Sequence, residues 1–363
     1  MDKVTAVSTF SDMTLSHPHL QTTIKRLGLA IQQVERGSLV FLFGPTGVGK
    51  TTLSSHMRDK LDKDMRTDGE HDNASLPAVV IEAPYPDART FSWKEFYRRA
   101  LTILHDPFAH KKVEDPRCSA FTWEARLDSR APGHELRMAF ENALFYRKVK
   151  VLIIDEAHHI AKGTSTNGLL EQLEYLKSLA NLTGTVIVLV GTYELLAFRN
   201  LSGQLSRRSI DVHFPRYRMD NQQEYRKFGG VVKSFANKLP IPCDFQITEM
   251  LDEIYVGSLG CVGLLNGWLI KAIKRATEEG DGTLRKQDLL EAMYSHDQMS
   301  KMTDELLGGE NLLNPPKDSF LILKARLGVA SGEAVPAPAP QKPAKKSPPF
   351  KRKPVRDPVG MPS

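Results

Sequence analysis

Gly44-Pro45-Thr46-Gly47-Val48-Gly49-Lys50-Thr51 fits the spacing G-x-x-x-x-G-K-[ST], a loop built to hold phosphate. Glycines let backbone N–H groups close round the phosphate oxygens, and the N-terminus of the following helix adds its positive dipole end. Lys50 is placed to reach β- and γ-phosphates, and the Thr51 hydroxyl to ligate Mg²⁺. Residues Gly44 through Thr52 are therefore the nucleotide-binding candidates. A second chemical element lies about a hundred residues on. Val151-Leu152-Ile153-Ile154 is an apolar run ending in Asp155-Glu156, a Walker B-like pair. Asp155 would hold Mg²⁺, and Glu156 would orient and activate a water.

Two further positions suit phosphoryl transfer. Val186-Ile187-Val188-Leu189-Val190 ends in Gly191-Thr192, and Thr192 fits a sensor hydroxyl beside the γ-phosphate. Leu205-Ser206-Arg207-Arg208-Ser209 carries an arginine pair, either member of which could reach a neighbouring subunit's phosphate. Guanidinium suits that task because it is planar, permanently charged and bidentate. The alternative is a surface pair that binds solvent or carboxylates.

These side chains need a scaffold. Leu39–Phe43 reads as a buried strand feeding the glycine loop, and the residues after Thr52 read as a helix running to about Lys63. Asp62 to Leu76 reads as an exposed loop. Further strands are expected at 78–83, 149–155, 185–190 and 211–214, with helices at 20–35, 93–105, 133–148 and 169–181 between them. Strands alternating with helices imply an α/β fold, a parallel sheet flanked by helices, with ligands beyond the carboxyl ends of the strands. Residues 221–300 show helical periodicity alone and read as a small C-terminal helical domain. The expected division is a flexible segment 1–17, an α/β core 18–217, a helical lid 218–305 and a linker with a basic tail 306–363.

Composition bounds the remainder. The 363 residues carry a net charge of +6, of which +5 falls in residues 331–363 with nine of the 22 prolines. That tail cannot bury enough apolar surface to fold alone; it reads as a linker or as a contact for nucleic acid or a partner protein. Cys118, Cys243 and Cys261 are far apart, show no metal spacing and are expected to be reduced thiols. His158 and His159 read as packing residues after the carboxylates, with no third ligand apparent. No secretory leader or membrane span is expected, which points to the cytoplasm, and no membrane partner.

Asp155-Glu156-Ala157-His158 also spells the DEAH box of some helicases. That alternative requires a second motor domain bearing arginines, which residues 221–300 do not offer. The chain resembles AAA+ transposition regulators of the TniB/TnsC/MuB type, found in Tn7-like and CRISPR-associated transposons. The resemblance spans roughly residues 17–280. It is carried by His17-Pro18-His19-Leu20, the phosphate loop, Phe91-Ser92-Trp93-Lys94-Glu95-Phe96-Tyr97, Val151 to His159, Leu189 to Leu196, and Gln204 to Arg208 running into His213-Phe214-Pro215-Arg216-Tyr217.

The resemblance implies an AAA+ P-loop NTPase fold with a helical lid, and slow, DNA-stimulated hydrolysis of ATP with Mg²⁺. It implies assembly of a homo-oligomer, ring or helical filament, on double-stranded DNA in the bacterial nucleoid. Transposase and target-selection proteins would be its partners, and hydrolysis would drive disassembly. Lys94, Arg98, Arg99, Lys111 and Lys112 are the DNA-contact candidates, or else a solvated helix face; Trp93, Phe96 and Tyr97 read as core. One departure is visible: Gly263-Leu264-Leu265-Asn266 has Asn where such lids carry Arg, with Lys271 or Lys274 as substitutes. A scaffold or secretion-type ATPase without a DNA role is the third alternative.

Overall fold

The central strands of the sheet are unbroken apolar runs because helices cover both of their faces. The structure, a computed structural model, describes residues 10, 11, 13–67, 75–86, 90–104, 133–199, 201, 209–278, 280–313 and 319–329. Helix α1 (Pro18–Gln33) precedes β1 (Leu39–Phe43). Then follow α2 (Lys50–Thr67), β2 (Ala78–Glu82), α3 (Trp93–Ile103) and α4 (Gly133–Tyr146). After β3 (Val151–Asp155) come a 3₁₀ turn (Ala157–Ala161) and α5 (Thr166–Thr183). β4 (Val186–Gly191) leads through a second 3₁₀ turn (Tyr193–Leu195) into α6 (Leu196–Arg199). β5 (Ser209–His213) closes the α/β portion.

The five strands are parallel in the order β2-β3-β4-β1-β5. Successive side chains alternate between faces. Phe41, Phe43, Leu152, Ile154, Ile187 and Leu189 therefore join one core with α3, α4 and α5, through Phe96, Phe140 and Leu173. Val40, Leu42, Val151, Ile153, Val188 and Val190 join another with α1 and α2, through Leu27, Leu53 and Met57. Both β1 and β3 are buried along their whole length, whereas edge strands β2 and β5 show partial exposure. That is the burial expected of a doubly covered parallel sheet.

Beyond the sheet the chain is helical: α7 (Gln222–Ala236), a 3₁₀ turn (Ile247–Met250), α8 (Leu251–Ser258), α9 (Val262–Glu278), α10 (Lys286–Glu291) and α11 (His296–Leu313). These helices enclose a core of their own around Trp268, Phe228, Phe235, Ile254 and Ile273. The Trp268 indole N–H donates to Leu289 O at 2.7 Å, so the largest ring in that core is fixed in orientation as well as buried. The chain divides into a unit Met1–Leu313 and a unit Asn314–Ser363. The second contains α12 (Ser319–Arg326), which has no buried residue.

Two boundaries differ from expectation. α2 continues to Thr67, into the segment read as an exposed loop, where the charged run Asp62-Lys63-Asp64 carries no apolar periodicity. α11 runs through the expected 305/306 boundary to Leu313. Among the described residues no single helix is long and apolar enough to cross a membrane. The pair Ile247–Ser258 and Val262–Glu278 is apolar enough together but is bent by 111°. Its side chains line the helical core.

Candidate functional site

Parallel pairing in register puts the carboxyl ends of the strands in one row. Glu82 lies opposite Asp155, and Phe43 opposite both Gly191 and His213. The phosphate loop, the acidic pair and Thr192 all leave the sheet at this row. The loop conformation requires glycine at two positions: Gly47 (φ +74°) and Gly49 (φ +108°) lie where L side chains are strained.

The Lys50 ammonium is buried and donates to the carbonyls of Gly44 at 3.2 Å and Pro45 at 3.0 Å. Burial pushes its pKa down, opposed by the charges of Glu156 and Asp155. Asp155 is buried at the end of β3, and its Oδ1 accepts the Glu156 N–H at 2.9 Å. Burial raises its pKa, while Thr51, the Glu156 amide and Lys50 hold it down.

Glu156 turns the chain with φ 51° and ψ 32°, the left-handed region. A non-glycine residue held there stores strain of about 1–3 kcal/mol, a cost that clusters at functional sites. Its pKa is raised by burial first, with Lys50 opposing. Its Oε2 stands 3.1 Å from His158 Nδ1, within ion-pair distance, yet the two are not aligned as a hydrogen bond. Burial lowers the pKa of His158 to about 4, so the ring is neutral at neutral pH.

A cavity of about 530 Å³ opens over this row, lined by Thr46, Gly47, Lys50, Thr51, Glu156 and Thr192 among others. The Thr192 hydroxyl accepts the Glu194 N–H at 3.4 Å and so caps the short turn that follows β4. The helical region contributes Gly263 to the lining, and the Leu264 N–H donates to Gly47 O at 3.1 Å, which ties α9 to the phosphate loop. A second cavity of about 470 Å³ adjoins the first, sharing Thr46, His158 and Thr192, and is walled on its far side by α11. There Gly309 lies flush against the Tyr193 ring, and Glu310 pairs with Arg216 at 3.0 Å in a nearly dry setting. Arg216 also donates to the Tyr255 hydroxyl at 2.6 Å.

The structure thus brings together Gly44 to Thr52, Asp155, Glu156 and Thr192. Arg207, Arg208, Lys111 and Lys112 lie outside the described residues. Arg98 and Arg99 both pair with Glu95 on α3, at 3.3 and 3.2 Å, and α3 also carries Lys94. Phe96 and Tyr97 are core residues and Trp93 packs against them. Lys271 stacks on the Tyr294 ring, and Asn266 Oδ1 is buried without a hydrogen-bond partner. Cys243 and Cys261 are free thiols. Sequence reading missed Glu82 in the lining, the Arg216–Glu310 pair and the closeness of Glu156 to both histidines. Only the last had a sequence signal, the Glu-x-His-His spacing.

Residues 33–198 match the family model described as "AAA domain". The *Aeropyrum pernix* ORC1 protein, solved in complex with DNA, superposes with a TM-score of 0.50 at 15% identity, covering 76% of this chain and 65% of that one. The ORC2 protein of the same organism, solved with ADPNP and ADP, gives 0.48 at 14% identity over 78% and 70%. Cdc6p from *Pyrobaculum aerophilum* gives 0.47 at 16% over 78% and 69%. A search of curated proteins finds no significant match. Residues 33–198 are an AAA domain, and the parallel sheet with its flanking helices is the AAA+ P-loop NTPase fold.

Proposed function

We propose that this chain is an ATP-hydrolysing AAA+ protein that assembles on double-stranded DNA and regulates transposition by marking a target and recruiting a transposase. The observation that carries the ATPase reading is the convergence of Lys50, Thr51, Glu156 and Thr192 on one cavity at the carboxyl ends of β1, β3 and β4, with Asp155 buried at the end of β3 beside Glu156. The residues present fit a nucleotide with Mg²⁺: two left-handed glycines, a buried ammonium resting on carbonyl partners, and the Thr51 hydroxyl near enough to the Asp155 carboxylate to favour its charged form.

In this reading Lys50 leaves the Gly44 and Pro45 carbonyls to bind phosphate oxygens, and Thr51 with Asp155 holds Mg²⁺. Bound there, Mg²⁺ supplies neutralisation of charge on the β- and γ-oxygens. Glu156 accepts the proton of the attacking water, and the Thr192 hydroxyl orients that water or the γ-phosphate. Arg207 or Arg208 would complete a neighbouring subunit's site. Lys94, Arg98, Arg99, Lys111 and Lys112 would contact the DNA backbone, a sequence-independent and salt-sensitive mode. The ORC1 protein that shares this fold was solved with DNA, which is compatible with that part of the reading.

The transposition reading rests on the sequence segments around Thr192 and the arginine pair, in their order and spacing. Electron microscopy of the purified chain with a non-hydrolysable ATP analogue, with and without duplex DNA, tests the assembly. Rings or filaments threaded by DNA are expected; monomers under all conditions refute it. Transposase recruitment by the full chain, compared with a chain lacking 331–363, tests the partner.

A further inference from the structure

Glu156, His158 and His159 each offer a donor atom, and these atoms lie within 4.8 Å of one another. Their meeting follows from the backbone. The left-handed turn at Glu156 and the 3₁₀ turn beginning at Ala157 fold positions i, i+2 and i+3 onto one side. An α-helix would have sent i+2 away from the other two.

Two independent details point to a ligand there. His158 is 94% buried (6% exposed), and its Nδ1 has no hydrogen-bond partner although it faces Glu156 Oε2 at 3.1 Å. Orphaned buried nitrogens are rare and call for an explanation. His159 Nδ1 lies 3.0 Å from the Ala83 carbonyl, which accepts only if that nitrogen carries the proton. The Nε2 lone pair of His159 is then left for another partner, the arrangement of a metal-bound imidazole oriented by a backbone carbonyl. All three residues line or adjoin the phosphate-side cavity, so solvent has access to the group.

We propose that Glu156, His158 and His159 form a binding site for one transition-metal ion of the Zn²⁺ class, and that its occupancy arrests hydrolysis by holding the Glu156 carboxylate. Two imidazoles and one carboxylate with an open position suit Zn²⁺, Co²⁺ or Ni²⁺; Mg²⁺ prefers an all-oxygen shell. The site is separate from the Thr51–Asp155 pair, because Asp155 Oδ1 is engaged by the Glu156 amide. Metal binding stands on these three residues alone. The arrest rests on the ATPase reading above.

The test uses the full chain, stripped of metal and titrated with Co²⁺ in excess Mg²⁺ and without nucleotide. One equivalent should produce visible d–d absorption without the thiolate charge-transfer bands of a cysteine site. Paramagnetically shifted resonances of two imidazoles in the wild-type Co²⁺ form should identify the ligands without any substitution. His158→Gln, His159→Gln and Glu156→Gln should each weaken Co²⁺ binding at least tenfold, the smallest loss seen even for outer-shell partners. Stoichiometric Zn²⁺ should then cut ATP turnover while an ATP analogue still binds. Undiminished Co²⁺ binding in the three variants, thiolate bands, or fewer than two shifted imidazoles overturns the site. If Co²⁺ binds as expected and turnover persists, the arrest is wrong and the site stands. If the stripped chain shows no turnover at all, the ATPase reading fails while the spectroscopic result still decides the metal.

Discussion

Gly308 and Gly309 are adjacent in α11, yet the structure gives them opposite surroundings. An added Cβ at Gly308 meets nothing, while one at Gly309 would overlap the Tyr193 ring, which is itself buried. Gly308→Ala should therefore collect only the helix-propensity gain of about 1 kcal/mol. Gly309→Ala receives the same gain but must move the Tyr193 ring, part of the turn that follows Thr192, an overpacking cost of about 1–3 kcal/mol. The propensity terms cancel between the two variants, so their difference isolates the contact. Native-state hydrogen exchange of α11 amides reads it as local opening. Protection in Gly309→Ala should fall about five- to 150-fold below that in Gly308→Ala, the conversion of 1–3 kcal/mol. Because Tyr193 follows Thr192 directly, ATP turnover should drop in Gly309→Ala alone. Equal protection in the two variants would refute the packing of α11 on Tyr193, and equal turnover would refute its coupling to Thr192.

Other outcomes follow from the same geometry. Lys50→Ala should abolish ATP-dependent assembly, scored by nucleotide-dependent sedimentation on duplex DNA. Glu156→Gln should retain nucleotide, lose about 10²–10⁴-fold in turnover and accumulate a stable ATP-bound oligomer. Glu310→Ala should destabilise the chain by about 3 kcal/mol in thermal unfolding, at the low end for a broken buried pair because Arg216 keeps Tyr255. A second change, Arg216→Met, should recover most of that loss.

His17 caps α1 through Nδ1, which faces the Leu20 N–H at 3.4 Å and the Tyr217 hydroxyl at 3.1 Å. Burial, with help from His19, lowers its pKa from 6.5 to about 4. The unfolded chain then binds the extra proton first. Stability should fall as pH drops from about 6.5 to 4, by at most about 3 kcal/mol from this group, and level off below. His17→Asn keeps a capping acceptor without titrating and should flatten that part of a Tm–pH curve.

What could be read from the sequence was whatever has a short-range cause. β1, β3 and β4 were legible because doubly covered parallel strands must be apolar throughout, and the phosphate loop because φ of +74° and +108° demands Gly47 and Gly49. The end of α2 was not legible, since its charged residues Asp62, Lys63 and Asp64 carry no periodic signal. The course of α11 was hidden too: a Gly-Gly pair is poor helix material, and only contact with Tyr193 explains why position 309 has no side chain. The Glu-x-His-His spacing marked Glu156, His158 and His159, but their convergence depends on a left-handed backbone at Glu156, of which glutamate gives no warning. Arg216 and Glu310 are 94 positions apart, a distance over which charge patterning is silent.

The seam between Leu264 N–H and Gly47 O joins main chain to main chain. Truncation of the surrounding side chains leaves both of its atoms in place, whereas a Cβ at Gly263 would come 2.5 Å from Gly47 O. Proline at 264 is the one encoded residue that deletes the donor, and the first turn of a helix, where Leu264 sits in α9, tolerates it sterically. The contact between α9 and the phosphate loop thus depends on Gly47 and Gly263 and on no side chain. Replacing either glycine therefore alters the backbone contact itself, while the larger side chains round the cavity can change without touching it.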